Sequence, residues 1–168
     1  YILSVGAWKK RKGYETSIAA FRLVKREFPD LRYVIVSHAP EQEGIEIKRD
    51  VSREELDELY THAELFLLAP SLASDGDVEG FGLVFLEAAE AGLPIVATRS
   101  GGVEDAVCEG ENAFLCPPGD VPCLAEAITK VLRDPALRGR MSKASRAFTQ
   151  RMSWDVQIAK YVHLYETL

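Results

Sequence analysis

The densest run of chemistry-bearing residues is Glu79-Gly80-Phe81-Gly82-Leu83-Val84-Phe85-Leu86-Glu87. Two glycines stand where a polar loop turns into an apolar helix. Glycine lets backbone approach a ligand closely and tolerates positive φ. The unpaired N–H groups at the helix start would face outward with the positive end of the helix dipole behind them, which suits a diphosphate. Glu87 falls about one turn into that helix. A carboxylate there is placed to accept hydrogen bonds from ribose hydroxyls, as acidic residues do in dinucleotide-binding folds. Glu79 belongs to the loop, on the ligand side. Lys12-Gly13, far away in sequence, ends the first strand-to-helix loop and brings an ammonium group to the same sheet edge. The plain alternative is a glycine-rich turn carrying two solvated glutamates.

The elements that must position these groups are readable from hydrophobic spacing. Ile2–Gly6, Tyr33–Ser37, Leu65–Ala69, Pro94–Thr98 and 114–116 read as short buried strands, and Ile45–Lys48 as a weaker alternating one. Tyr14, Ile18, Phe21, Val24 and Phe28 share one helical face. Ser52-Arg53-Glu54-Glu55 is a capping box opening a helix through Tyr60. Leu83–Ala91 reads as a helix ended by Gly92, and Asp120 caps another through Leu132. Asp134-Pro135 breaks that helix and starts the next, and Ser153 caps a last one with Trp154, Ile158, Val162 and Tyr165 as a packing face. Apolar strands alternating with helices imply an α/β doubly wound, Rossmann-like, mostly parallel sheet of about six strands with helices on both faces. Only seven residues separate the second and third strands, too few for a parallel crossover. That spacing calls either for antiparallel pairing or for residues absent from the sequence near 41–44.

Composition narrows the function classes. Twenty Lys and Arg against 26 Asp and Glu give a net charge of −6, which argues against a general nucleic-acid binder. No apolar run approaches the ~20 residues of a membrane span. The cysteines Cys108, Cys116 and Cys123 are odd in number and form no metal-site spacing with one another or with the scattered histidines. A reduced intracellular protein without structural metal is the expectation.

Glu79 to Glu87, followed by Ala91-Gly92-Leu93-Pro94-Ile95-Val96-Ala97-Thr98, resembles the signature of glycosyltransferase family 4. The likeness continues through 101–107, 109–112 and 117–120, and includes Val5-Gly6, Lys12-Gly13 and the terminal Ser153-Trp154 to Tyr165. Enzymes of that family are retaining, nucleotide-sugar-dependent transferases of the two-domain B-type fold. The resemblance implies that residues 1–168 form the donor-binding, C-terminal half, and that the acceptor-binding N-terminal domain is not included. It implies that Glu87 holds the donor ribose. Gly80, Phe81, Gly82 and Leu83 would offer N–H groups to the diphosphate and sugar. Glu79 would face the transferred sugar, and Lys12 would neutralise the leaving diphosphate. It implies no metal and no cofactor beyond the nucleotide sugar, and an acceptor that is a sugar, lipid or other alcohol. The implied setting is cytoplasmic, or peripheral at a membrane in the full-length protein.

Two positions depart from the family pattern. Ala7 stands where an Arg usually follows the first-strand glycine, so a cation is lost unless Arg11, Lys9 or Lys10 replaces it. Ser37-His38-Ala39-Pro40 replaces a glycine-rich turn. Lys9-Lys10-Arg11-Lys12 could be a nucleic-acid patch, but in an acidic chain it reads as a solvated loop with Lys12 turned inward. Asp75-Gly76-Asp77 matches the metal–diphosphate D-x-D of A-type glycosyltransferases and is read here as a solvated loop. His38 is read as exposed. Two rival functions stay open: a nucleotide-sugar epimerase of the same architecture, and a non-catalytic nucleotide-binding domain, which Ala7 would favour.

Overall fold

Six short segments, five of them apolar, build one parallel sheet in a computed structural model that describes residues 1–167. In chain order the elements are β1 (Ile2–Val5), a 3-10 turn (Lys10–Lys12), α1 (Tyr14–Val24), β2 (Tyr33–Val36), β3 (Glu46–Lys48), α2 (Arg53–His62), β4 (Leu65–Leu68) and α3 (Leu83–Glu90). They continue with β5 (Ile95–Thr98), α4 (Val103–Ala106), β6 (Ala113–Cys116), α5 (Val121–Arg133), α6 (Pro135–Arg151) and α7 (Trp154–Glu166). The strand order is β3-β2-β1-β4-β5-β6, with every neighbouring pair parallel. Every residue of β1, β4 and β5 is buried, as a strand covered on both faces requires. The edge strand β3 is only half-buried and carries Glu46 and Lys48, charges that discourage further strand addition. The expected α/β doubly wound architecture is therefore present.

The order reverses at β1. The chain moves outward from β1 to β2 and β3, then returns on the other side of β1 to lay down β4. Loops leaving the carboxyl ends of β1 and β4 diverge there, and that crevice is where open α/β sheets bind ligands.

Several local expectations are met and several are corrected. β2 and β3 pair parallel, so the antiparallel alternative falls. Residues 37–45 make the connection without a helix, turning on the Ile45 N–H bond to the Gln42 carbonyl. The Ser52 hydroxyl caps α2 by accepting from the Glu55 N–H at 3.1 Å. The capping box is only half made, because the Glu55 carboxylate turns instead to Lys48 Nζ at 2.8 Å. Asp120 and Asp134 cap α5 and α6 as expected, accepting from the N–H groups of Cys123 and Leu137. Ser153 makes no side-chain cap.

The expectation of wholly reduced cysteines is corrected as well. Cys116, the last residue of β6, forms a disulfide with Cys123 in the first turn of α5, their Cα atoms 5.9 Å apart; Cys108 is free. The α7 packing face is also corrected, because no residue of that helix is buried within the described chain. Trp154 is 82% exposed, and Ile158, Val162 and Tyr165 are exposed with it. Among the described residues no helix is long and apolar enough to cross a membrane.

Candidate functional site

The β1–α1 loop and the β4–α3 loop meet through their charged residues. Lys12 is only 6% exposed and Glu79 only 5%. Lys12 Nζ stands 2.6 Å from Glu79 Oε2. A lone buried charge of either sign is costly, and mutual pairing offsets that cost. The two residues singled out as catalytic candidates are thus brought together at the topological switch point.

Arg11 enlarges the cluster. Its Nε lies 3.2 Å from Asp77 Oδ1, and its Nη1 lies 3.6 Å from Glu79 Oε2. Two cations therefore face two carboxylates. The Lys10–Lys12 turn produces this arrangement by directing Arg11 and Lys12 toward Glu79. The Asp75-Gly76-Asp77 loop is not simply solvated: Asp75 Oδ1 accepts from the Asp77 N–H at 3.1 Å, and Asp77 holds Arg11. Among the described residues no cluster of His, Cys, Asp and Glu has metal-site geometry.

The glycine corner follows directly. Gly82 caps α3 with φ 81°, in the left-handed region where glycine is favoured. The N–H groups of Gly80, Phe81, Gly82 and Leu83 donate to no backbone carbonyl among the described residues. They stand at the N-terminal, positive end of α3. The β5–α4 loop braces this corner from behind, since the Gly102 N–H donates to the Glu79 carbonyl at 3.0 Å. A Cβ at Gly102 would fall 1.9 Å from the Gly80 carbonyl oxygen, so the brace tolerates only glycine. Leu83, first residue of α3, leaves its side chain exposed and does not plug the corner.

Glu87 is half-buried on α3 and does not point into bulk solvent. Its Oε2 accepts from the Tyr60 hydroxyl of α2 at 2.9 Å. Burial, and secondarily the Glu87 charge, holds the Tyr60 phenol well above its ordinary ionisation range, so it stays a donor. A cleft of about 280 Å³ opens beside the pair, lined by Arg53, Asp57 and Glu90 among others. Sequence reasoning missed Tyr60, Arg11 as an ion-pair partner, and the Gly102 brace. His38 sits apart in an exposed pair with Asp50, Nε2 to Oδ1 3.2 Å.

A parallel sheet in this order, with paired charges and a bare helix N-terminus at its switch point, defines the class as a doubly wound α/β domain of the kind found in B-type glycosyltransferases. The chain belongs to the family of glycosyl transferases group 1, whose model matches residues 1–148. It is 31% identical over 172 residues to a glycogen synthase of Mycobacterium tuberculosis, covering 98% of this chain and 42% of the relative. It is 30% identical to the GDP-mannose-dependent alpha-(1-6)-phosphatidylinositol monomannoside mannosyltransferase of Mycolicibacterium smegmatis, covering 92% of this chain and 44% of the relative. The chain thus spans less than half the length of these relatives. Its fold superposes on the crystallised C-terminal domain of a group 1 glycosyl transferase from Francisella tularensis with a TM-score of 0.74, at 20% identity, covering 96% of this chain and 86% of that one.

Proposed function

We propose that this chain is the nucleotide-sugar-binding, C-terminal half of a retaining glycosyltransferase that moves a sugar to a hydroxyl acceptor. The observation that carries this reading is the buried Lys12–Glu79 contact beside the bare N–H groups of Gly80 to Leu83, at the switch point of the sheet. In this reading the diphosphate sits on those N–H groups, and Lys12 turns part of its charge toward it. Charge builds on the departing nucleoside diphosphate in the transition state, and fixed dipoles plus an ammonium group stabilise it without reorganising. That role asks for no metal and no separate cofactor. Glu79 faces the transferred sugar. Glu87, steadied by Tyr60, accepts from the ribose hydroxyls.

The other partners are the acceptor (a sugar, lipid or other alcohol) and an N-terminal domain of the same protein. The uncovered apolar face of α7 supports that further domain, which would also exclude water when it closes on this one. The site would work in the cytoplasm or at a membrane surface. The exposed Ala7 favours a second, non-catalytic reading, since it brings no charge where a cation is expected. Arg11, 3.6 Å from Glu79, places a second positive charge beside the site and supports the catalytic reading.

The test is transfer by the full-length protein, with UDP-, GDP- and ADP-sugars offered to a panel of sugar and lipid alcohols and product configuration read by NMR. Transfer with retention supports the reading. Nucleotide binding without turnover selects the non-catalytic one, and epimerised donor selects the epimerase.

A further inference from the structure

A second cleft, of about 550 Å³, is walled by residues of the β1–α1 loop and the start of α1 on one side and by residues 71–74 of the β4–α3 loop on the other. Trp8 and Leu72 supply apolar surface, and Lys9, Lys10, Glu15, Thr16 and Ser74 are among the residues of its polar rim. Trp8 is held as a flat platform. It stacks on Tyr14 with ring centroids 4.7 Å apart and planes 13° from parallel. Tyr14 is itself buried, and its hydroxyl donates to the Gly6 carbonyl at 2.9 Å. The two walls form a single unit, because the Ser71 N–H donates to the Arg11 carbonyl at 2.9 Å. Leu72 remains 69% exposed above this floor.

A pyranose has one apolar C–H face and a rim of hydroxyls. A fixed indole matches the first, and ammonium and hydroxyl groups match the second. The platform is preorganised, which lowers the entropic cost of binding. The cleft also adjoins the Lys12–Glu79 cluster in sequence and structure, since both are built on the β1–α1 and β4–α3 loops. One turn presents Lys10 to the cleft and Arg11 and Lys12 to Glu79.

We propose that this cleft is an outer acceptor subsite that holds a pyranose of an oligosaccharide chain, with Trp8 as a positioning residue. The proposal rests on the transferase reading above.

Trp8 and Trp154 are the two tryptophans of the chain, so a Trp154→Phe background isolates the Trp8 emission. Maltohexaose, mannohexaose and chitohexaose are titrated against it, and UDP, GDP and ADP are titrated separately by calorimetry. At least one hexasaccharide should change Trp8 emission saturably. Trp8→Ala should weaken its calorimetric affinity on the order of tenfold. Trp8→Tyr should retain most of it, and nucleotide affinity should not move. No saturable change with any of the three sugars, or equal affinity in Trp8→Ala, overturns the subsite. Nucleotide binding without sugar binding removes the subsite and leaves the donor reading intact. Sugar binding through Trp8 with no nucleotide binding overturns the donor reading and, with it, the acceptor role, leaving only a sugar-binding cleft.

Discussion

Lys12→Met would strip the buried Glu79 carboxylate of its nearest counter-charge. Both side chains are under a tenth exposed and lie 2.6 Å apart, so water cannot take over the lost interaction. Breaking a buried pair costs about 3–5 kcal/mol because the remaining charge stays in place. Arg11 Nη1, 3.6 Å from the same oxygen, absorbs part of that charge and sets the expectation at the lower end, about 3 kcal/mol. In a domain of this size that loss lowers Tm by about 6–12 °C. Glu79→Gln strands Lys12 in the same way. The double variant Lys12→Met/Glu79→Gln leaves neither charge uncompensated, so its loss should fall short of the sum of the single losses by at least about 2 kcal/mol. Urea denaturation of the four proteins measures the cycle, with the slopes checked for constancy. A coupling below about 0.5 kcal/mol would mean that the contact behaves as an exposed ion pair and that Lys12 and Glu79 form no buried charged centre.

Gly102→Ala would drive a methyl group to within 1.9 Å of the Gly80 carbonyl and displace the glycine corner. It should cost about 1–3 kcal/mol and weaken nucleoside diphosphate binding; wild-type melting and affinity would refute the close contact. The phenols of Tyr14, Tyr33 and Tyr60 are all held above their ordinary range, first by burial. The unfolded chain therefore releases those protons first, near pH 10, and stability should be intact below that value and fall above it. A urea midpoint equal at about pH 8 and pH 10.5 would contradict this. The Cys116–Cys123 disulfide closes a loop of sequence separation 7, worth about 2.5 kcal/mol on a chain-entropy basis. A thiol reductant should lower Tm by about 5–10 °C, and an unchanged melt would show that the bond adds no stability.

What could be read in the residues was the part fixed by local pattern. Apolar runs marked the strands, and Asp120 and Asp134 marked helix starts through bonds only three residues long. The glycine corner and the Glu87 helix were likewise contiguous in sequence. Contacts that bridge distant segments left no such mark. Tyr60 reaches Glu87 across 27 positions, and nothing near Tyr60 in sequence signals it. Asp77 and Arg11 looked like members of two solvated charge runs until the sheet brought their loops together. The cysteine pairing depended on β6 ending where α5 begins, which spacing alone does not reveal. The α7 stripe had a helical period, but a period shows which face is apolar and not whether anything within the chain covers it.

A diphosphate pocket at Gly80–Leu83, with Glu87 on the adjoining ribose, can be measured by calorimetry of UDP, GDP and ADP against the wild-type chain and Glu87→Ala. At least one nucleotide should bind the wild type, and the variant should lose about 1.5–3 kcal/mol, roughly a 10- to 150-fold weaker Kd. Absence of binding by all three, or an unchanged Kd in Glu87→Ala, would contradict it.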